Sequence, residues 1–93
     1  MRIGSLIVTL YLAEGSSLKD KRQVVKSVVE RIRRKFNVSI AEVDELDLWQ
    51  KATLGIAVVS NDGQHANRVL DKVLDHLESF PEFSVGEVEL EIV

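Results

Sequence analysis

Alternation of apolar and polar residues marks both ends of the chain. In residues 3–12 one parity is uniformly apolar and the other is mixed, which predicts a strand with a core-facing and a half-exposed face. The apolar parity consists of Leu6, Val8, Leu10 and Leu12. Residues 83–93 also alternate, with Val88, Leu90 and Ile92 on one face and Glu87, Glu89 and Glu91 on the other. Two further β-rich runs predict strands at residues 38–43 and 49–60.

Helical spacing fills the two longer intervals between these strands. Residues 18–36 place their apolar side chains on one stripe, and Ser17 with Asp20 has the spacing of a capping box at its start. This stripe contains Leu18, Val25, Val28, Val29, Ile32 and Phe36. Residues 64–79 repeat at the same period, and Asp62 is placed to cap this second helix.

The predicted order of elements is βαββαβ, which is the ferredoxin-like arrangement of the α+β class. It is a four-stranded antiparallel sheet with two helices packed on one face. Two right-handed crossovers place the first and third strands at the centre of the sheet. We expect residues 1–93 to form a single ferredoxin-like domain, because 93 residues suffice for one small core and no linker interrupts them.

Composition narrows the classes of protein that this sequence allows. Hydrophobic residues make up 45% of the chain and charged residues 29%, which is typical of a globular domain and not of a disordered one. The absence of cysteine excludes disulfides, thiol catalysis and cysteine-ligated zinc. No signal peptide or membrane span is recognised, so we expect a cytoplasmic protein that does not associate with membranes.

The distribution of charge is more informative than the net charge of −3. Residues 17–36 contain eight basic and two acidic side chains and carry +6, whereas the rest of the chain carries −9. At about 100° per residue, four basic side chains fall on one exposed stripe of the first helix: Lys19, Arg22, Lys26 and Arg33. Arg31 and Lys35 flank the opposite side of the helix, and Arg34 lies between. This stripe, about 21 Å long at the α-helical rise, matches several phosphates of a nucleic acid.

Two other interpretations of the basic helix stay open. Exposed helix faces are often charged because they are solvated, and cations in the last turn of a helix favour its dipole. The segregated charge could equally attract a protein partner, or the acidic strands could neutralise it within the molecule or across a dimer.

Aromatic residues offer two candidate contacts, Tyr11 on the outer sheet face and Trp49 beside the acidic turn. For Trp49, packing over the end of the sheet with its N–H bonded is the more common role. Three carboxylates in that turn, Asp44, Glu45 and Asp47, could in principle hold a hard cation. Their spacing matches no EF-hand loop, and a solvated turn is the simpler interpretation. His76, near the end of the second helix, is expected to gain from the helix dipole.

No catalytic constellation is recognised, and we expect neither an enzyme nor a bound metal or cofactor. A glycine-rich phosphate loop is missing, and no serine is matched to a histidine and an acid in a known motif. Acylphosphatases share this topology but need an arginine after the first strand, where this chain has Ala13-Glu14-Gly15-Ser16-Ser17. No small-molecule substrate is identified.

Three segments of the sequence resemble the YlxP-like family of small bacterial proteins. They are SLKDKRQVVKS (17–27), FNVSIAEVDELDLWQKATLGIAVVSND (36–62) and VGEVELEIV (85–93), so the resemblance covers essentially the whole chain. It implies a ferredoxin-like fold and a bacterial cytosolic protein, and it supplies no catalytic residues. In some bacteria the family's gene is clustered with those of transcription-termination, translation-initiation and ribosome-maturation factors, which hints at association with RNA or ribosomes.

The sequence therefore favours a non-enzymatic accessory module that binds RNA or ribosomal particles through the first helix. Sequence-independent phosphate contacts would come from Lys19, Arg22, Lys26, Arg33 and Arg34. The alternative is a protein-interaction module or homodimer that uses the open sheet face or an edge strand. Its apolar outer face is predicted to contain Ile3, Ile7, Tyr11, Val59 and Val85.

Overall fold

A computed structural model describes residues 1–14 and 16–93 of the chain. Its elements are β1 (Arg2–Leu12), α1 (Leu18–Lys35), β2 (Ser39–Asp44), β3 (Lys51–Ser60), α2 (Gly63–Glu78) and β4 (Phe83–Ile92). The predicted βαββαβ order is confirmed. β3 begins at Lys51 and not at Trp49, which leaves Trp49 in the connection between β2 and β3. The predicted loop 13–17 includes Gly15, which lies outside the described residues.

Local side-chain chemistry sets where each helix begins. Ser17 Oγ accepts a hydrogen bond from Asp20 N, and Asp20 Oδ2 accepts one from Ser17 N, both at 3.1 Å. These reciprocal bonds form the predicted capping box and satisfy amide groups that lack an intrahelical acceptor. Asp62 caps α2 in the same sense, because its Oδ1 accepts from Gln64 N at 2.9 Å.

The sheet has the strand order β2-β3-β1-β4, and every neighbouring pair is antiparallel. The predicted central positions of β1 and β3 are therefore confirmed. β2 and β4 form the two edges, and each bears one register shift against its neighbour. Because α1 leads to β2 and α2 leads to β4, the two helices lie towards opposite edges.

The core lies between the sheet and the two helices. The central strands supply Leu6, Val8, Leu10, Ala52, Leu54, Ile56 and Val58, and the helices supply Val25, Val28, Ile32, Ala66, Leu70, Val73 and Leu77, all of them buried. Their alternation on the strands and three-to-four spacing on the helices agree with the sequence pattern. This packing turns the other face of the sheet towards solvent.

A β-bulge changes the predicted composition of that open face. The register of β4 against β1 shifts between the Val8–Val88 pair and the Leu10–Val85 pair, so β4 holds one extra residue there. The extra residue reverses the parity and turns Val85 towards the core. The prediction that Val85 lies on the outer face is wrong for this reason.

The remaining apolar residues of the open face are placed as predicted. Ile3 lies opposite Val59, and Ile7 lies opposite Gly55, where the side chain of Val43 covers the glycine. Ile3, Ile7, Val43 and Val59 are all exposed. Self-association through this face stays a prediction.

Candidate nucleic-acid interface

The five basic side chains predicted to contact phosphate are all exposed on α1. The buried positions of the helix are Lys21, Val25, Val28 and Ile32. Lys19, Arg22, Lys26 and Arg33, which we call the basic stripe, lie on one flank of that buried face. The structure therefore brings these four residues together as predicted, with Arg34 on the outward side of the same helix.

Intramolecular ion pairs do not neutralise this stripe. Residues 1–14 and 16–93 contain two ion pairs, Lys21 with Glu42 at 2.9 Å and Lys51 with Glu45 at 3.5 Å. Neither pair includes a member of the basic stripe or Arg34. Their charges are left to solvent and to any anion that approaches the helix.

Arg33 fixes the stripe to the edge of the sheet. Its Nη2 donates a hydrogen bond to the main-chain oxygen of Ile40 in β2 at 2.9 Å. A guanidinium has five N–H donors, so Arg33 keeps donors for a further acceptor. This bond places the basic stripe above edge strand β2 and away from α2.

Lys21, one of the eight basic residues within 17–36, is buried, which the sequence pattern was not used to predict. Its side chain is 0% exposed. Nζ lies 2.9 Å from Glu42 Oε2 and donates to the main-chain oxygen of Glu45. Glu42 Oε2 is itself buried and accepts no well-directed hydrogen bond from residues 1–14 and 16–93, so its attraction to Lys21 is ionic. Lys21 thus joins α1 to the end of β2.

The acidic turn after β2 is partly structural and not merely solvated. Glu45 is half-buried and adopts a positive φ of 62°, which is unusual for a residue with a side chain. Its main-chain oxygen is held by Lys21, its carboxylate lies near Lys51, and its amide donates to Asp44 Oδ1 at 2.8 Å. These contacts hold the strained backbone conformation in place.

The fold separates the basic stripe from the row of glutamates on β4. The basic stripe lies above β2 at one edge of the sheet, and Glu87, Glu89 and Glu91 lie on β4 at the other. An anion that approaches this flank of α1 meets the cations of the stripe, whereas the glutamates of β4 repel it. The stripe thus presents four exposed cations on one flank of α1.

The flank of α1 that faces α2 packs against aromatic side chains. Arg31 Cζ lies 5.3 Å from the centre of the Phe80 ring, and His76 packs edge-on against both Phe36 and Phe80. Burial lowers the pKa of His76, and the nearby cations Lys35 and Arg31 lower it further. The expected benefit of the helix dipole to protonated His76 is therefore outweighed, because burial and both cations oppose its charge.

This environment predicts a pH-dependent stability. Because the pKa of His76 is lower in the folded state than in the unfolded state, the unfolded chain binds the proton more readily. The contribution of His76 to the free energy of unfolding should be constant well above the pKa of about 6.5 of a free histidine and should fall as the pH decreases through that value. Urea unfolding at several pH values should show this slope, reduced in His76→Gln and retained in His65→Gln. Equal slopes in all three proteins would contradict the assignment to His76.

Tyr11, a candidate contact residue, forms a side-chain hydrogen bond within the sheet. Its hydroxyl lies 2.7 and 2.9 Å from the two carboxylate oxygens of Glu87, to which it donates. This hydrogen bond raises the pKa of Tyr11 and lowers that of Glu87. The ring lies over Gly86, where a Cβ atom would come within 2.2 Å of it. Tyr11 thus covers the bulge in β4 and leaves part of its ring exposed.

Trp49, the other candidate contact residue, is exposed to 36%. Its indole N–H donates no hydrogen bond to any residue that the structure describes, so the expected bonded N–H is not found. Leu46 and Leu48 in the same connection are also exposed. The turn therefore presents a small apolar surface.

The described part of the chain has neither a cluster of metal ligands nor a helix that could cross a membrane. Residues 1–14 and 16–93 contain no group of three or more histidine, cysteine, aspartate or glutamate side chains placed to hold a metal ion. Neither α1 nor α2, the helices that the structure describes, is long and apolar enough to cross a membrane.

Solved structures with a similar fold show little sequence similarity to this chain. The de novo designed protein Foldit4 superposes with a TM-score of 0.57 at 16% identity, covering 100% of this chain and 97% of its own. A mutant of SnoaB, a cofactor-independent oxygenase from Streptomyces nogalater, gives 0.55 at 12% identity and covers 98% and 90%. At these identities the similarity shows the ferredoxin-like fold alone.

Sequence similarity identifies the family. The chain is 44% identical over 69 residues to the uncharacterized protein YlxP of Bacillus subtilis (strain 168), covering 74% of this chain and 75% of that protein. The model of the family described as "Protein of unknown function (DUF503)" matches residues 3–90. Together with the ferredoxin-like fold, these matches confirm the predicted resemblance, and the chain belongs to the DUF503 family of YlxP-like proteins.

Proposed function

We propose that this protein is a non-enzymatic accessory module that associates with RNA, alone or in a ribonucleoprotein particle, through the basic stripe of α1. One observation carries the proposal: Lys19, Arg22, Lys26 and Arg33 are exposed on one flank of a helix and form no ion pair within residues 1–14 and 16–93. Such a row of cations binds phosphates without reading the sequence of bases.

The geometry suits a phosphate backbone better than a base-reading surface. The stripe spans about 21 Å along the helix, enough to meet several successive phosphates. The sheet face, which in some folds of this topology stacks bases on aromatic side chains, here carries three glutamates on β4 and Ile7 at its centre. RNA should therefore bind to the helix side at the β2 edge.

Binding should depend strongly on salt. Neutralising about four phosphates gives a log–log slope of affinity against salt near −3 to −4. The affinity for a fluorescent RNA hairpin can be measured by anisotropy across a salt series. We expect Arg22→Glu with Lys26→Glu to weaken binding more than about tenfold at low salt and to reduce the slope by about 2.

A charge-matched control separates this site from the effect of net charge. Arg68→Glu with Lys72→Glu changes the net charge by the same amount on exposed positions of α2. It should leave most of the affinity and the slope intact. Equal losses in the two double variants, or unchanged binding in Lys19→Glu, Arg22→Glu and Lys26→Glu combined, would overturn the proposal.

A further inference from the structure

The two edges of the sheet differ in how well they are protected. β2 has six residues, the carbonyl of Ile40 is occupied by Arg33, and its end is held by Lys21. β4 has ten residues and is the last strand of the sheet, and no other strand of the described part of the chain pairs with its outer edge. Long unprotected edge strands are templates for pairing with another strand. β4 is therefore the edge at which the sheet can be extended.

The register identifies the main-chain groups that face outward on β4. Ile3 and Val93 exchange both main-chain hydrogen bonds, at 3.1 and 2.8 Å. In an antiparallel pair, residues that exchange hydrogen bonds alternate with residues that do not. The N–H and C=O groups of every second β4 residue therefore point away from β1, and these residues are Val88, Leu90 and Ile92.

The side chains of β4 define what an added strand must look like. Glu87, Glu89 and Glu91 are exposed on the open face, whereas Val88 and Leu90 remain 40% and 37% exposed on the helix side. α2 does not cover these two apolar side chains completely. An added strand would place its own side chains alternately beside the glutamates and beside the apolar residues.

We propose that β4 binds an extended protein segment in which basic and apolar residues alternate, by adding it as a fifth strand. Its lysines or arginines would lie beside the three glutamates, and its apolar residues beside Val88 and Leu90. The main-chain groups of Val88, Leu90 and Ile92 supply the hydrogen bonds. This inference is independent of the RNA proposal, because β4 and the basic stripe lie at opposite edges of the sheet.

Charge complementarity selects this occupant over a second copy of β4. Two copies paired antiparallel would place three glutamates of one strand on the same face as three of the other, with like charges directly opposite. The acidic row thus opposes homodimerisation at this edge and attracts a basic strand. The same argument excludes an acidic peptide.

A peptide titration on the full-length protein tests the proposal. The probe is a nine-residue peptide in which lysine and valine alternate, and the control replaces each lysine by glutamate. Binding is followed by NMR, and hydrogen exchange reports on each amide. We expect the lysine peptide alone to bind and to protect the amides of Val88, Leu90 and Ile92. Equal binding of both peptides, or protection at β2 in place of β4, would overturn the proposal.

Two variants separate pairing of the strand from simple charge attraction. Leu90→Pro removes an outward N–H without removing a hydrogen bond to β1, and it should weaken binding about tenfold or more. Leu90→Ala keeps that N–H and should bind more tightly than the proline variant. Glu89→Lys with Glu91→Lys should also weaken binding, because it removes the charge that attracts the peptide. If Leu90→Pro does not fold, protection of the amides of Val88, Leu90 and Ile92 by the lysine peptide separates strand pairing from charge attraction. Retained binding in the charge-reversed variant would overturn the proposal.

Discussion

Replacing Lys21 by methionine should lower the free energy of unfolding by about 3–5 kcal/mol. The substitution keeps the length of the side chain but removes its charge and its donors. Glu42, whose side chain is only 16% exposed, would then lack the cation 2.9 Å away, and the main-chain oxygen of Glu45 would lose its donor. A buried charge without a partner is among the most costly changes that a core can undergo. Urea unfolding followed by circular dichroism measures the loss.

Lys26→Met is the matched control for this prediction. Lys26 is exposed on the same helix and forms no ion pair in the described parts of the chain, so its replacement should change the stability by less than about 0.5 kcal/mol. Combining Lys21→Met with Glu42→Leu should recover most of the loss, because no buried charge is then left unpaired. This double variant decides the question even if Lys21→Met does not fold. Equal unfolding midpoints for Lys21→Met and Lys26→Met would contradict the structural role of Lys21.

Replacing Gly4 by valine should lower the free energy of unfolding by about 1–3 kcal/mol. Gly4 is buried on the core face of β1, where α2 approaches the sheet closely. A Cβ atom at this position would lie 3.0 Å from Leu70 Cδ1 and 3.1 Å from both Val58 Cγ1 and Ile92 Cδ1. Side chains from three elements must therefore move to admit valine, and closely packed cores resist such movement.

Gly55→Val tests the same exchange on the opposite face of the sheet. A Cβ atom at Gly55 would lie 2.9 Å from Cγ1 of Val43, but Val43 is exposed and can move into solvent. A β-branched residue is also favoured in a strand. We expect a smaller loss than for Gly4→Val in the same urea experiment. A larger loss of stability in Gly55→Val than in Gly4→Val would show that the close packing around Gly4 does not determine the cost of adding a side chain there.

The parts of the fold that depend on local pattern were predictable. Strand parity in β1 and β3, the capping box at Ser17 and the cap at Asp62 follow from residues close together in sequence, and the structure confirms them. The predicted sheet face was wrong for Val85 because a bulge shifts the register of β4 against β1. The alternation of apolar and polar residues in β4 does not reveal this bulge, because the bulge depends on how two strands distant in sequence pair.

The candidate site was predictable in its composition but not in its arrangement. The helical period correctly grouped Lys19, Arg22, Lys26 and Arg33, because residues three, four and seven apart share a face of any α-helix. The same period places Lys21 with the apolar residues Val25 and Val28. The position of Lys21 on the apolar face was the sequence signal that this lysine is buried. A count of net charge over the segment does not show it.

The sequence by itself determined the order of elements, the faces that enter the core and the segment that carries the positive charge. These properties follow from backbone periodicity and capping, which act over a few residues. Tertiary structure alone decided that Lys21 is paired with Glu42 and that α2 packs closely against Gly4. It also decided that the basic stripe and the β4 glutamates lie at opposite edges of the sheet. Each of these depends on contact between segments far apart in the chain, since charge pairing and packing are determined by distance in space.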